Sequence, residues 1–295
     1  MIQILKPAAR AAAAAIVLTA LAAAILFGLS CYFRLDYPVL CKVYGAYPVY
    51  RDEDYEEQFE IPYIQCKAGR HRIIGVDFEE LPQSGLTESG EADDEDFGYD
   101  TDDTGFSYDD KEGGYYERKA LQVSLFTENT DFVGLKKPIV LTTATVSYED
   151  GTKEQVELGK IVLYPGEDAD EKDLKYKGQC DSKDTREVSY MADRELTIKQ
   201  VQCIPDGQTG KVRINDREPE ELVGQTLRKD YSLTISLRGE TPFELWQSMI
   251  KITYQTDGEE EATQLITEFD QDFGMGGTPT FMQNLTFLRD RGVIQ

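Results

Sequence analysis

One histidine occurs in the chain, His71, in the stretch KAGRHRII over Lys67–Ile74. Imidazole titrates near neutrality, so a lone histidine has the chemistry of a general base. Its neighbours Arg70 and Arg72 follow Gly69, and this pattern reads as a solvated basic turn, placed to dock an acidic segment rather than to accept a proton. A single histidine also disfavours histidine-dependent triads and histidine-rich zinc sites. Catalytic residues are expected to be none, and no cofactor motif is expected.

Four other strings invite chemistry. Ser248-Met-Ile-Lys251 has the S-x-x-K spacing that serves nucleophilic serine enzymes when both residues share a helix face. Here Ile250, Ile252 and Tyr254 alternate as on a strand, which sends Ser248 and Lys251 to opposite faces. The run from Asp100 to Lys111 sets Asp100, Asp102 and Gly105 where a calcium loop has positions one, three and six, with Asp103 beside them. Thr104 and Lys111 stand at positions five and twelve, where oxygen ligands and a bidentate acid belong. A loose electrostatic hold on Ca²⁺ is the most this run offers. Phe273–Phe281 is glycine-rich and reads as a turn, because it lacks the Lys-Ser/Thr of a phosphate cradle. Asn284-Leu-Thr286 has the form of an N-glycosylation acceptor. Paired carboxylates able to hydrolyse glycans are not singled out among 55 acids.

The cysteines bear on the elements that must position these residues. Val146–Leu158, VSYEDGTKEQVEL, resembles Ile252–Leu265, ITYQTDGEEEATQL, and each reads as a hairpin turning at an Asp-Gly pair. Leu121-Gln-Val-Ser-Leu125 resembles Leu233-Thr-Ile-Ser-Leu237, and Ile64-Gln65-Cys66 resembles Val201-Gln202-Cys203. A further cysteine, Cys41 or Cys180, precedes each. Four marks in the same order predict two tandem copies of one all-β domain. The spacing predicts disulfides Cys41–Cys66 and Cys180–Cys203, with Cys31 left over. A β-sandwich of the immunoglobulin kind fits the strand number. The match is to an architecture and to no family, because Trp246 follows both cysteines of its half.

Ala11–Phe33 is 23 residues without a charge, a helix long enough to cross the roughly 30 Å hydrocarbon core. Lys6 and Arg10 precede it, so residues 1–10 are expected in the cytoplasm and everything after Arg34 outside. A signal anchor at 11–33 is preferred to cleavage after Ala20-Leu21-Ala22 and to lipidation at Cys31. The expected organisation is a first sandwich at 36–165, a linker at 166–178 and a second sandwich at 179–295. An acidic insertion at about 83–115 interrupts the first. Within it, Thr87–Glu112 holds twelve acids and one lysine, too polar to fold alone.

The net charge of −24 repels phosphate backbones, which disfavours nucleic acid as a partner. The sequence therefore points to a non-enzymatic, membrane-anchored protein presenting two β-sandwich domains at the cell envelope. Its partners would be the lipid bilayer, through residues 11–33, and a protein or glycan, with Tyr115 and Tyr116 as a conceivable contact patch. Two alternatives are an accessory subunit of a transporter or sensor complex and an exported carboxylate-dependent hydrolase.

Overall fold

The structure is a computed structural model. It describes residues 2–49, 56–67, 69–81, 115–126, 137–166, 173–181, 185–207, 211–238, 243–267 and 279–294. The acidic tract, with Asp100, Asp102 and Asp103, lies outside the described residues, as does most of the glycine-rich Phe273–Phe281 segment.

The described chain is mostly β, arranged in four sheets. In the first half, β1 (Val39–Leu40), β3 (Glu56–Cys66) and β5 (Tyr116–Phe126) form one antiparallel sheet. Opposite it lie β2 (Lys42–Val49), β4 (Ile73–Asp77), β6 (Ile139–Tyr148) and β7 (Lys153–Pro165), in the order β2-β7-β6-β4. Alternation supplies the two inner faces. Phe59, Ile61, Tyr63, Leu121 and Val123 from one sheet meet Val43, Tyr47, Val146, Tyr148, Ile161 and Leu163 from the other. All are buried, and they make the first core.

The second half also consists of two facing sheets, of four strands each. β8 (Leu174–Asp181), β9 (Thr185–Ala192), β11 (Val212–Ile214) and β13 (Ser232–Arg238) form one sheet, ordered β11-β13-β9-β8. The facing sheet is β12-β10-β15-β16, made of β10 (Leu196–Ile204), β12 (Thr226–Leu227), β15 (Met249–Thr256) and β16 (Glu261–Ile266). Val188, Tyr190, Leu233, Ile235 and Leu237 pack against Ile198, Ile250, Ile252, Tyr254 and Ile266. The sequence pattern marks neither β9 nor β12, and β8 begins at Leu174, inside the expected linker.

The paired marks correspond only in part. Leu121–Leu125 and Leu233–Leu237 fall on β5 and β13, each paired with a strand earlier in its half, although β5 is an edge strand and β13 is not, and the two hairpins are β6–β7 and β15–β16. The third pair does not correspond. Cys66 lies on β3, which pairs with β5, whereas Cys203 lies on β10, which pairs with β15 in the other layer. By pairing, β9 is the counterpart of β3, because it pairs with β13. A short apolar-Gln-Cys string recurred in two unrelated places.

The first hairpin also turns differently from expectation. Gly151 takes positive φ (84°), but Asp150 is not among the positive-φ residues. Gly151 N–H donates to Tyr148 O and Tyr148 N–H to Thr152 O. This is a turn closed by one left-handed glycine, the longer of the common hairpin geometries.

The halves are joined by more than chain. Between β13 and β15 the second half sends out β14 (Glu244–Gln247), which pairs in parallel with β2. Leu245 of β14 is buried in the first core, and Trp246 stacks on Tyr44 at 4.4 Å with Lys211 above it. Ala46 and Val162 of the first half meet Ile204, Met249 and Leu265 of the second. Lys251 donates to Tyr164 Oη at 3.0 Å, and Lys160 pairs with Asp206.

The parallel pairing of β2 with β7 starts at Val43 opposite Gly159. Gly159 has φ +103°, and a Cβ there would stand 2.5 Å from Val43 O. Positive φ disfavours any other residue, and the obstacle is backbone that a rotamer change does not move. Gly159→Ala is therefore expected to destabilise the first sandwich by about 1–3 kcal/mol. A lowered urea midpoint of the full chain in mild detergent checks this.

Candidate functional site

The residues best able to act together converge at one end of the first sandwich, where the N-terminal helix arrives. α1 (Ile2–Tyr32) is a single helix of 31 residues. Its last bond is Phe33 N–H to Leu29 O, and the chain then enters the sandwich at once. Phe33 O accepts from Tyr116 Oη at 2.7 Å, and Leu35, almost fully buried, donates its N–H to Cys66 Sγ at 3.0 Å. Leu35, Cys41, Ile64, Cys66, Tyr116 and Leu288 form a small core of their own. Leu288 belongs to α2 (Phe281–Asp290), the C-terminal helix, which folds back onto the first half. Arg291, just past it, donates to Leu40 O at 2.8 Å, and Phe287 stacks on Phe243 at 4.5 Å.

Next to this core, three loops share a polar clasp. Tyr37 follows the helix, His71 precedes β4, and Asp150 and Thr152 make the β6–β7 turn. The Tyr37 ring stacks on His71 at 4.7 Å and packs on Tyr148 at 4.7 Å. Tyr37 Oη donates to Asp150 Oδ2 at 2.9 Å, and His71 Nδ1 stands 3.5 Å from the same oxygen. Thr152 N–H caps Asp150 Oδ1 at 2.9 Å. The Thr152 N–H holds the Asp150 carboxyl below its ordinary range, aided by the Tyr37 and Thr152 hydroxyls and by His71. His71 is thus half-buried against an aromatic ring and a carboxylate on its own sandwich. Its sequence neighbourhood could not show this, because Tyr37 and Asp150 lie 34 residues before and 79 after it.

The expected disulfides are not formed: all five cysteines are free thiols. Cys41 N–H donates to Pro62 O, which places Cys41 opposite Pro62 on β3. Cys66 is four residues further along that strand, an offset of about 13 Å at strand rise. A disulfide needs Cα atoms within about 7 Å. Cys180 lies on β8, exposed and opposite Glu187, while Cys203 lies on β10 in the facing sheet, packed against the second core. The counts of residues between cysteines are similar, but Cys41 and Cys66 are offset along one sheet and Cys180 and Cys203 lie in different sheets. Burial pushes the Cys41 thiol up to about 11 and the Cys203 thiol up to about 12, and raises Cys66 as well.

The remaining candidates fall into structural places. Ile250, Ile252 and Tyr254 face the second core, Lys251 lies on the opposite face against Tyr164, and Ser248 is buried. Tyr115 and Tyr116 open β5, edge to face at 5.2 Å, with Tyr116 in the small core rather than on a free patch. Asn284 is nearly buried within α2, a poor place for a glycan acceptor. In the second sandwich Arg194 grips Asp173 through two bonds, at 2.5 and 3.1 Å, and Glu259 at 2.7 Å. The buried Gln264 satisfies both backbone groups of Leu174. An open cleft of about 390 Å³ lies between Glu195–Lys199 and Gln255–Gly258, without a buried ionisable group in its lining. Among the described residues there is no group of His, Cys, Asp and Glu able to hold a metal ion.

Two outcomes follow from this geometry. In native full-length protein treated with a maleimide at pH 7, Cys180 is expected to react quickly, the half-buried Cys203 slowly and the buried Cys41 only after denaturation, since covered protonated thiols react slowly. Peptide mapping checks it, and a Cys41–Cys66 bridge would contradict the strand register. The Asp150 clasp contributes fully above the ordinary carboxylate value of about 4 and is lost as pH falls through the lowered native value. Asp150→Asn is expected to make the acid limb of thermal stability shallower and leave the alkaline limb unchanged.

No known family model matches the chain, and no curated protein matches it.

Proposed function

We propose that the chain is a membrane-anchored, non-enzymatic module that presents two β-sandwiches outside the membrane for binding or scaffolding. Among the described residues no helix is long and apolar enough to cross a membrane. The side chains of α1 are described only over 15–29 and 31–32, about 22 Å of helix for the longer run. Ala11–Ala14 of the proposed anchor lie outside that run.

The observation that carries the reading is the surroundings of α1. Ile16, Val17 and Leu18 are 69, 65 and 66 % exposed, and Leu21, Ile25, Leu26 and Phe27 are exposed as well. Three consecutive helical positions are turned about 100° apart, so over residues 15–29 no face of the helix is covered by protein. A soluble chain rarely leaves such a surface bare, whereas a bilayer accommodates it. With Lys6 and Arg10 in the first turns of α1, ahead of its uncharged stretch, the amino terminus lies on the cytoplasmic side.

The strand layout supports an immunoglobulin-like reading of both sandwiches. In the second, the first, second, fourth and fifth main strands share one sheet, and the third, sixth and seventh share the other, with β12 added at its edge. In the first, β1, β3 and β5 oppose β4, β6 and β7, and β2 leaves β1 to join β7 in parallel. Two such units in one chain support descent by duplication. A binding or scaffolding role is supported by where the polar clusters lie. The Tyr37–His71–Asp150 clasp and the Arg194–Asp173–Glu259 group each fasten loops of one sandwich together.

Alkaline carbonate extraction of membranes from cells making the full chain tests the anchor. The protein is expected to stay in the pellet, and the quadruple change of Ile16, Leu18, Leu21 and Leu26 to Glu is expected to release it. A wild-type chain that washes into the supernatant would overturn the reading.

A further inference from the structure

We propose that the first turn of α2 is a second membrane contact, with Phe281 and Met282 resting in the interfacial layer of the bilayer beside the outer end of α1. This rests on α1 spanning the membrane. The argument begins with position. The Tyr32 and Phe33 rings at the end of α1 meet edge to face at 5.1 Å, and Phe33 meets Phe281 edge to face at 5.8 Å. Phe281 also stacks on Tyr116 at 6.0 Å. The start of α2 is therefore level with the last residues of the apolar helix, although it lies about 250 residues away in sequence.

Rigidity fixes that level. Only Arg34 separates Phe33, whose carbonyl is tied to Tyr116, from Leu35, which is buried in the small core. Leu288 of α2 is fully buried in the same core. A helix held by the bilayer and a sandwich held by that helix leave α2 no freedom to move away from the lipid surface. Despite these contacts, Phe281 remains 43 % exposed, Tyr32 51 % and Met282 66 %. They extend the apolar surface of α1 sideways.

The chemistry of this patch fits lipid. Aromatic side chains concentrate at the boundary between hydrocarbon and headgroups, and Met is unbranched and adaptable. Helix N-termini normally expose unpaired N–H groups, which oppose burial at such a boundary. Here Thr280 and Gln283 form a reciprocal capping box: Thr280 Oγ1 accepts from Gln283 N–H at 3.3 Å and Gln283 Oε1 accepts from Thr280 N–H at 2.8 Å. Arg34, partly exposed beside Phe33, has a stem long enough to keep its charge among headgroups. The occupant is taken to be lipid and not protein because the patch is continuous with the helix that the bilayer surrounds.

The test uses the full chain. Trp246 is the single tryptophan, so Trp246→Phe gives a silent background. Onto it are placed Met282→Trp and, as a control, Val223→Trp in the second sandwich, 48 % exposed. Each protein is reconstituted into zwitterionic vesicles whose acyl chains carry bromine near the headgroup. The expected result is flotation of both proteins, with the indole of Met282→Trp blue-shifted and quenched at least about two-fold by bromolipid, and that of Val223→Trp unaffected. A protein that floats while the Met282→Trp indole is red and unquenched overturns this proposal alone. A blue-shifted but unquenched indole means that protein covers the patch, and it also overturns the proposal. Failure to float overturns the anchor itself, and this proposal with it.

Discussion

Strand β2 is asked for backbone hydrogen bonds on both edges, by partners far away in sequence. On one edge it runs parallel to β7, more than 110 residues later, and on the other parallel to β14, about 200 residues later. Parallel pairs cannot be made by a hairpin, so both pairings depend on the rest of the molecule bringing the strands together. Gly159 lets the first happen by removing the side chain that would strike Val43 O. Leu245, buried from β14 in the first core, fastens the second. Because β2 begins two residues after β1 ends, the same segment serves both layers of the first sandwich and its contact with the second.

The small core at the base depends on that arrangement. It draws on the residues just after α1, on the ends of β3 and β5, and on α2. None of these groups buries enough apolar surface alone. Together they hold Leu35, Cys41 and Leu288 almost without exposure. The Tyr37–His71–Asp150 clasp lies alongside, joining the helix exit to two turns. Both features fasten the end of the helix to the first sandwich.

Much of the β architecture was legible because it is local. Local patterning marked β6, β10, β13 and β15 within a residue or two and the second half of β5 from Leu121, and the Asp-Gly pairs marked both hairpin turns. The repeated Leu-x-x-Ser-Leu strings both fell on strands, β5 at the edge of its sheet and β13 inside its own. What failed was inference across distance. The apolar-Gln-Cys match looked as good as the others, yet it joined β3 to β10, which occupy different layers. Only pairing partners show that, and a partner is not written in a strand's own residues. For the same reason β14 was missed: four residues, Glu244–Gln247, have no periodicity to detect, and their role comes from the edge they cover. The surroundings of His71 were hidden likewise, because the ring that stacks on it and the carboxylate beside it come from other loops.

The strand that the second half contributes has a consequence for biosynthesis. Translation delivers the amino-terminal half first, with the outer edge of β2 bare and the place of Leu245 in its core vacant. That half waits for about eighty further residues before its sheet is closed. During that interval the open edge is a template for any other extended chain, and the newborn protein is most in need of a chaperone then. The dependence in assembly therefore runs one way: cutting away the second half would reopen the edge of β2 that β14 covers, whereas both sheets of the second half are built from its own strands.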